Sequence, residues 1–250
     1  MQIIFDKISA PVELPALSRP RLIRRLNNSL SSCNLTIVNG RAGTGKTMLA
    51  TDFAHCCGRN IAWYKVDASD INPQIFFQYL IASVKRLWPD FFREWEQDRL
   101  SGIARADLSR MAESFVYELA ERPDDSLLII IDNLHLVYDS DWVVPFFSRL
   151  APLLPMEVHL MIIGRILPPA PLWRLRSKQR LTIIDEPDLN FTEEEAVNLF
   201  ASYSLPEWSA REALKKSRGR ASMLEALAGS INIDGRSLNI NEAASEQLLI

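Results

Sequence analysis

Three observations predict an α/β fold, a parallel sheet with helices on both faces followed by a small all-helical part. Apolar runs such as Leu127–Ile131 (LLIII) and Glu157–Ile163 (EVHLMII) read as strands buried on both faces. Segments with helical spacing alternate with such runs from residue 35 to residue 184, the pattern of strands laid parallel by helical crossovers. From Asp188 onward only helical patterns remain.

Residues 1–18 carry Pro11 and Pro15 and read as an extended leader. Arg19-Pro20-Arg21 opens a helix through Leu22, Leu26 and Leu30, with Arg24 and Arg25 on its other side. Those arginines are either a solvated face or contacts to a ligand, because the helix runs into the first strand, Leu35–Val38. Ile61–Val66 (IAWYKV) is a second strand, and Asn72-Pro73 caps a helix through Ile75, Phe76, Tyr79, Leu80 and Leu87. Phe91, Phe92 and Trp95 read as a further helical piece, and Asp107 caps another through Leu108, Met111, Phe115 and Leu119. Trp142–Leu150 is helical and bounded by Pro152 and Pro155. Prolines at 168, 169 and 171 precede a basic stretch (WRLRSKQR), and Leu181–Ile184 closes as a short strand. Among the later helices, Thr192 to Glu195 and Ser209 to Glu212 have capping-box spacing, and Gly219 and Gly229 bracket a short helix through Met223, Leu224 and Leu227.

The chemistry is concentrated between the first strand and its helix, in Gly40-Arg41-Ala42-Gly43-Thr44-Gly45-Lys46-Thr47-Met48. Glycines let the backbone curl so that successive N–H groups face one concavity, and the helix start adds partial positive charge. Strand, glycine loop, Lys-Thr and helix in that order form a phosphate-binding loop. Lys46 reaches phosphate oxygens and the Thr47 hydroxyl takes Mg²⁺. Asp132, at the end of an all-apolar strand, is the second Mg²⁺ ligand. Arg165 ends the next strand, where it is either a surface arginine or a cation that can reach a terminal phosphate. Ligands of such sheets lie at the carboxyl ends of the strands, so one site gathers Lys46, Asp132 and Arg165.

Composition excludes several other classes. The 250 residues are 48% hydrophobic and 24% charged with a net charge of −3, which gives no global reason for nucleic-acid or membrane binding. Cys33, Cys56 and Cys57 have neither metal-ligand spacing nor an even-numbered framework, and the last two read as buried thiols. The N-terminus lacks a basic segment followed by an apolar core, and no apolar run approaches the ~20 residues of a membrane span. Cytosol is the compartment this predicts.

Several stretches together resemble the NTPase domain of MalT-type, large LuxR-like transcriptional regulators, within the STAND class of P-loop ATPases. They are SRPRLIRRL, IAWYKVDASDINPQIFFQYLIASV, LLIIIDNLHLV and IIGRILPPAPLWRLRSKQRLTIIDEPDLNFTEEEAVNLF, and the likeness covers roughly residues 17–230. It implies a P-loop NTPase domain over 19–186, a helical lid over 187–230, and from 231 the start of a further segment of a longer chain. It also implies a switch that holds ADP when closed and self-associates with ATP, and DNA binding only through a C-terminal domain outside these residues. On that pattern Lys46 and Thr47 take phosphate and Mg²⁺, Asp132 takes Mg²⁺, Arg165 senses the terminal phosphate, and Arg19 adjoins the nucleotide.

Three positions depart from that pattern. Asn133 stands where a second acidic residue is usual, and an amide cannot serve as general base, so slow or absent hydrolysis is expected, with His135 retained. Arg220-Ala221 replaces a tryptophan-proline after the lid glycine, and Thr44 an aromatic. The alternatives are a catalytically active ATPase driving another reaction, and a scaffold that binds nucleotide without switching.

Overall fold

The computed structural model describes residues 3–92, 107–122, 125–169 and 181–231. Five strands, β1 (Leu35–Asn39), β2 (Asn60–Lys65), β3 (Leu127–Asp132), β4 (Val158–Gly164) and β5 (Leu181–Ile184), form one sheet in the order β2-β3-β4-β1-β5. Every pairing is parallel. β3 and β4 are buried at every position, as their unbroken apolar runs require.

Alternation along the strands sorts side chains into two layers. Leu35, Ile37, Tyr64, Ile129, Ile131, Leu160 and Ile162 face α3 (Pro73–Lys85), α4 (Asp107–Ala120) and α5 (Val143–Leu153). Val38, Trp63, Leu128, Ile130, Met161 and Ile163 face α1 (Pro20–Ser32) and α2 (Lys46–Cys56). The first layer is aromatic: Phe76 lies 4.5 Å from Trp142, 5.2 Å from Tyr64 and 6.2 Å from Phe147, centre to centre. On the α1 side, His159 of β4 is a polar inclusion, bonding Thr36 Oγ1 at 2.8 Å and the Cys33 carbonyl at 2.9 Å. Burial holds its pKa down at about 4.

After β5 come α6 (Glu186–Leu189), α7 (Glu193–Ser202), α8 (Glu207–Ser217) and α9 (residues 221–231). These last three helices enclose a small alanine-rich core of Phe191, Ala196, Leu199, Phe200, Ala210, Ala213, Ala221, Leu224 and Ala228. No described helix is long and apolar enough to cross a membrane.

Most sequence expectations for the elements hold. Asn72 Oδ1 accepts from the Gln74 N–H at 2.9 Å with Pro73 at the first helical position, and Thr192 and Glu195 complete a reciprocal capping box. Four do not. Ser209 caps nothing: α8 starts at Glu207 behind Pro206, and the Ser209 hydroxyl donates back to the Pro206 carbonyl. Gly229 lies within α9, where the Ala228 and Leu224 contacts hold the backbone helical despite its lower propensity. Phe91 and Phe92 form a turn, with Phe92 in the left-handed region at φ 56°. Cys56 is exposed and Cys57 half-buried, because α2 turns its last residues toward solvent; only Cys33 is buried. The leader also contains a 3-10 turn, Phe5–Ile8, whose Lys7 is bonded to Asp70 at 2.5 Å. Trp95 and the basic stretch 173–180 fall outside the described residues.

Candidate nucleotide-binding site

The carboxyl ends of β3, β4 and β1 are neighbours in the sheet, so Asp132, Gly164-Arg165 and the loop after Asn39 converge. The loop is held open by backbone geometry that L side chains rarely adopt. Gly43 and Gly45 have φ of 79° and 82°, and Gly45 is the N-cap of α2 with no side chain capping the helix. The orphan N–H groups of that first turn therefore remain for an anion. A Cβ on Gly43 would lie 2.3 Å from Ser222 Oγ, which fixes glycine there by contact as well as conformation.

Lys46 is 8% exposed and does not point into solvent. Its ammonium donates to the Gly40 carbonyl at 2.5 Å and the Arg41 carbonyl at 2.8 Å, which aims the side chain back over the loop. Burial lowers its pKa, with Asp132 opposing and Arg165 adding to the shift. The Thr47 hydroxyl donates to Asp132 Oδ2 at 3.0 Å. Asp132 is 2% exposed; burial raises its pKa against the opposing pull of the Thr47 hydroxyl and the Asn133 backbone N–H, and its Oδ1 has no hydrogen-bond partner among the described residues. A buried carboxylate oxygen without a donor, beside a hydroxyl, is a donor set that suits a small hard cation. Mg²⁺ needs only one or two protein ligands, because phosphates and water supply the rest.

Above the loop is a cavity of about 320 Å³, within the size range of small-molecule sites. Its wall joins Gly43, Lys46, Thr47 and Met48 to Arg19, Asn133 and Arg165. Arg19 is buried, donates to the Leu189 carbonyl at 2.6 Å and stands 4.9 Å over the Phe191 ring; burial lowers its pKa. Asn133 occupies the left-handed region at φ 62°, which asparagine tolerates better than most residues. Arg165 is exposed and close enough to depress both Lys46 and His135.

Some expected residues serve the site from outside the cavity wall. Gly40 lends its carbonyl to Lys46, and Thr44 ties the loop by donating to the Arg41 carbonyl at 2.9 Å. The Arg41 side chain turns away and pairs with Glu186 at 2.6 Å. The arginines of α1 divide. Arg21 donates to the Asp188 and Asn190 carbonyls and pairs with Glu195 at 3.3 Å, while Arg25 donates to the Ile183 carbonyl and pairs with Asp188 at 2.7 Å. They fasten the stem of the lid and take no place in the cavity wall.

The lid closes the cavity from above. The Ser222 N–H donates to the Gly43 carbonyl at 3.0 Å, and Arg220 donates to the Ala42 carbonyl. Leu17, Asp52, Phe191, Ser222 and Glu225 also line the wall, and sequence reasoning assigned none of these five to it. Only Asp52 carried a signal: it lies one and a half turns into the helix that the loop opens.

HTH-type transcriptional regulators named MalT match this chain. The one from Yersinia enterocolitica is 28% identical over 236 residues, 90% of this chain and 25% of that protein. The one from Serratia proteamaculans is 32% identical over 203 residues, 79% of this chain and 22% of that protein. The chain is related by sequence to the MalT regulators. It spans about a quarter of the length of those curated relatives. Among solved structures, a STAND protein with a tetratricopeptide repeat sensor from Pyrococcus horikoshii superposes with a TM-score of 0.58. It shares 18% identity and covers 86% of this MalT-like chain, which covers 31% of that protein. At that identity the likeness concerns the fold, and the fold is that of the P-loop NTPases. No protein-family model matches the chain.

Proposed function

We propose that this chain is the nucleotide-binding switch module of a transcriptional regulator, holding ATP or ADP with Mg²⁺ and hydrolysing ATP slowly. The observation that carries the reading is the bond from the Thr47 hydroxyl to Asp132 Oδ2, with Oδ1 left unpartnered beneath the loop. This arrangement brings two ligands of a phosphate-bound cation together from residues 85 positions apart.

In this reading the N–H groups at the start of α2 and the Lys46 ammonium, whose third contact is a long 3.5 Å to the Thr44 hydroxyl, bind the β- and γ-phosphates. Mg²⁺ supplies charge neutralisation between the phosphate oxygens. Asp132 and Thr47 would hold it, and the side chain of Arg165, unpaired among the described residues, would meet the terminal phosphate, which only ATP has. A group that touches one nucleotide and not the other is what a two-state switch requires. Asn133 accepts no proton from an attacking water, so turnover stays below about 1 s⁻¹, the low end of ordinary enzymes. The MalT likeness supports a regulator, and the reading extends to a cytoplasmic protein that self-associates in its ATP state. DNA contact then falls to a part of the protein outside this chain.

The test is thermal unfolding with Mg²⁺ and ADP, ATP or GTP, beside Lys46→Ala. Nucleotide at a hundred times its dissociation constant stabilises the fold by about 2.7 kcal/mol, and Lys46→Ala removes the shift. Unequal responses to ADP and ATP support the switch. Equal responses make the module a scaffold, and no shift with any nucleotide refutes the reading.

A further inference from the structure

Lys65 ends β2, in register with Asp132 at the end of β3. Partners in register on parallel strands leave the sheet on the same face. Along β2, Ala62 and Tyr64 enter the aromatic layer while Trp63 enters the opposite one. Lys65 therefore leaves on the Trp63 side, which carries α2 and Thr47. Asp132 follows Ile130 to that side, as its bond from Thr47 requires. The Val66 N–H donates to the Asp132 carbonyl at 2.8 Å and locks the two strand ends together.

Asp132 is thus flanked on both sides: the Thr47 hydroxyl holds Oδ2, and a lysine stands beside the carboxylate whose Oδ1 lacks a partner. The Lys65 side chain is exposed and makes no hydrogen bond or ion pair among the described residues. Its charge already works against the upward push of burial on the Asp132 carboxyl. A compact ammonium on a flexible four-carbon stem can swing onto the carboxylate or away from it.

We propose that Lys65 is a tethered counter-ion that competes with the divalent cation for Asp132 and so sets the metal requirement of nucleotide binding. The proposal rests on the nucleotide reading of the cavity. Without metal, the Asp132 carboxylate repels a polyphosphate, and the ammonium cancels that repulsion. With metal bound, Asp132 would serve as its ligand and Lys65 would be released from the carboxylate. Removing the lysine leaves Asp132 with the weaker pull of Lys46 and makes it depend more on the metal for neutralisation.

The experiment titrates a fluorescent ADP into wild type, Lys65→Gln, Lys65→Arg and Lys46→Ala, in EDTA and across a series of Mg²⁺ concentrations. In EDTA, Lys65→Gln binds about tenfold more weakly than wild type. At saturating Mg²⁺ the two agree within about threefold, and the half-saturating Mg²⁺ concentration of Lys65→Gln falls several-fold. Lys65→Arg keeps the wild-type metal dependence, which a loss of mere packing would not do. If Lys65→Gln binds nucleotide with the wild-type Mg²⁺ dependence, the proposal is overturned while the nucleotide reading stands. If Lys46→Ala binds as well as wild type, the nucleotide reading fails and this proposal fails with it.

Discussion

The sheet body and the lid are built from different materials. The body's outer layer packs rings on rings, with Tyr64, Phe76, Phe77, Trp142, Phe146 and Phe147 buried together. The lid's core is mostly alanine and leucine, and much of its attachment to the body is polar: Arg21 to Glu195, Arg19 to a carbonyl, and two bonds onto the glycine loop. Apolar packing is lost only by unfolding, whereas a handful of hydrogen bonds can be exchanged for water at small net cost. The difference teaches where motion is permitted. The body is held by apolar packing, and the lid in good part by polar contacts that water can replace.

The largest effect expected on this contrast comes from the ring cluster. Phe76→Ala should cost about 4 kcal/mol, the range for a buried phenylalanine, and lower the midpoint of chemical denaturation for body and lid together. A loss below about 1 kcal/mol would mean that the rings do not carry the body.

Acid sharpens the picture, because the body holds one polar inclusion. The His159 pKa is depressed to about 4 in the folded protein, against 6.5 for a free histidine. The unfolded chain therefore binds the extra proton first as pH falls. Stability from this group is fully present above pH 6.5 and is lost on descent toward pH 4, by about 3 kcal/mol at most. Denaturation midpoints of wild type and His159→Gln, compared between pH 7 and 4.5, should converge as acid is added. Parallel curves would rule out a buried neutral imidazole.

The smallest effect belongs to the lid. Arg21→Ala removes a partly exposed pair with Glu195 and two carbonyl contacts, which solvent screening holds to about 1 kcal/mol. Limited proteolysis after Phe191 should quicken several-fold while the body's unfolding midpoint hardly moves. Equal loss in both regions would show that lid and body unfold as one unit.

How much of this could be read in advance follows from the range of each interaction. The strands, the loop with Lys46 and Thr47, and the Asp132 position were legible because each is announced by a run of neighbouring residues. The Thr192–Glu195 capping box was legible for the same reason. The Ser209 box was not: the same spacing occurs there, but Pro206 had already set the helix start. The destinations of Arg21 and Arg25 were hidden because their partners are carbonyls 158 to 169 residues away, and a carbonyl is present in every residue type. The cavity's far wall, with Leu17, Phe191 and Glu225, comes from three separate segments and has no local signature.

The strand order also imposes a schedule on the newborn chain. β1 carries the glycine loop, yet its neighbours are β4 and β5, with Leu35 opposite Leu160 and Leu181. Translation at about 5–20 residues per second leaves β1 outside the ribosome for roughly ten seconds before either partner emerges. During that wait β2 and β3 can pair with each other, but an apolar strand ending in a glycine loop stays open to other chains. The strand that leads into the glycine loop thus waits longest for its sheet partners, which makes it the natural point for a chaperone to attend.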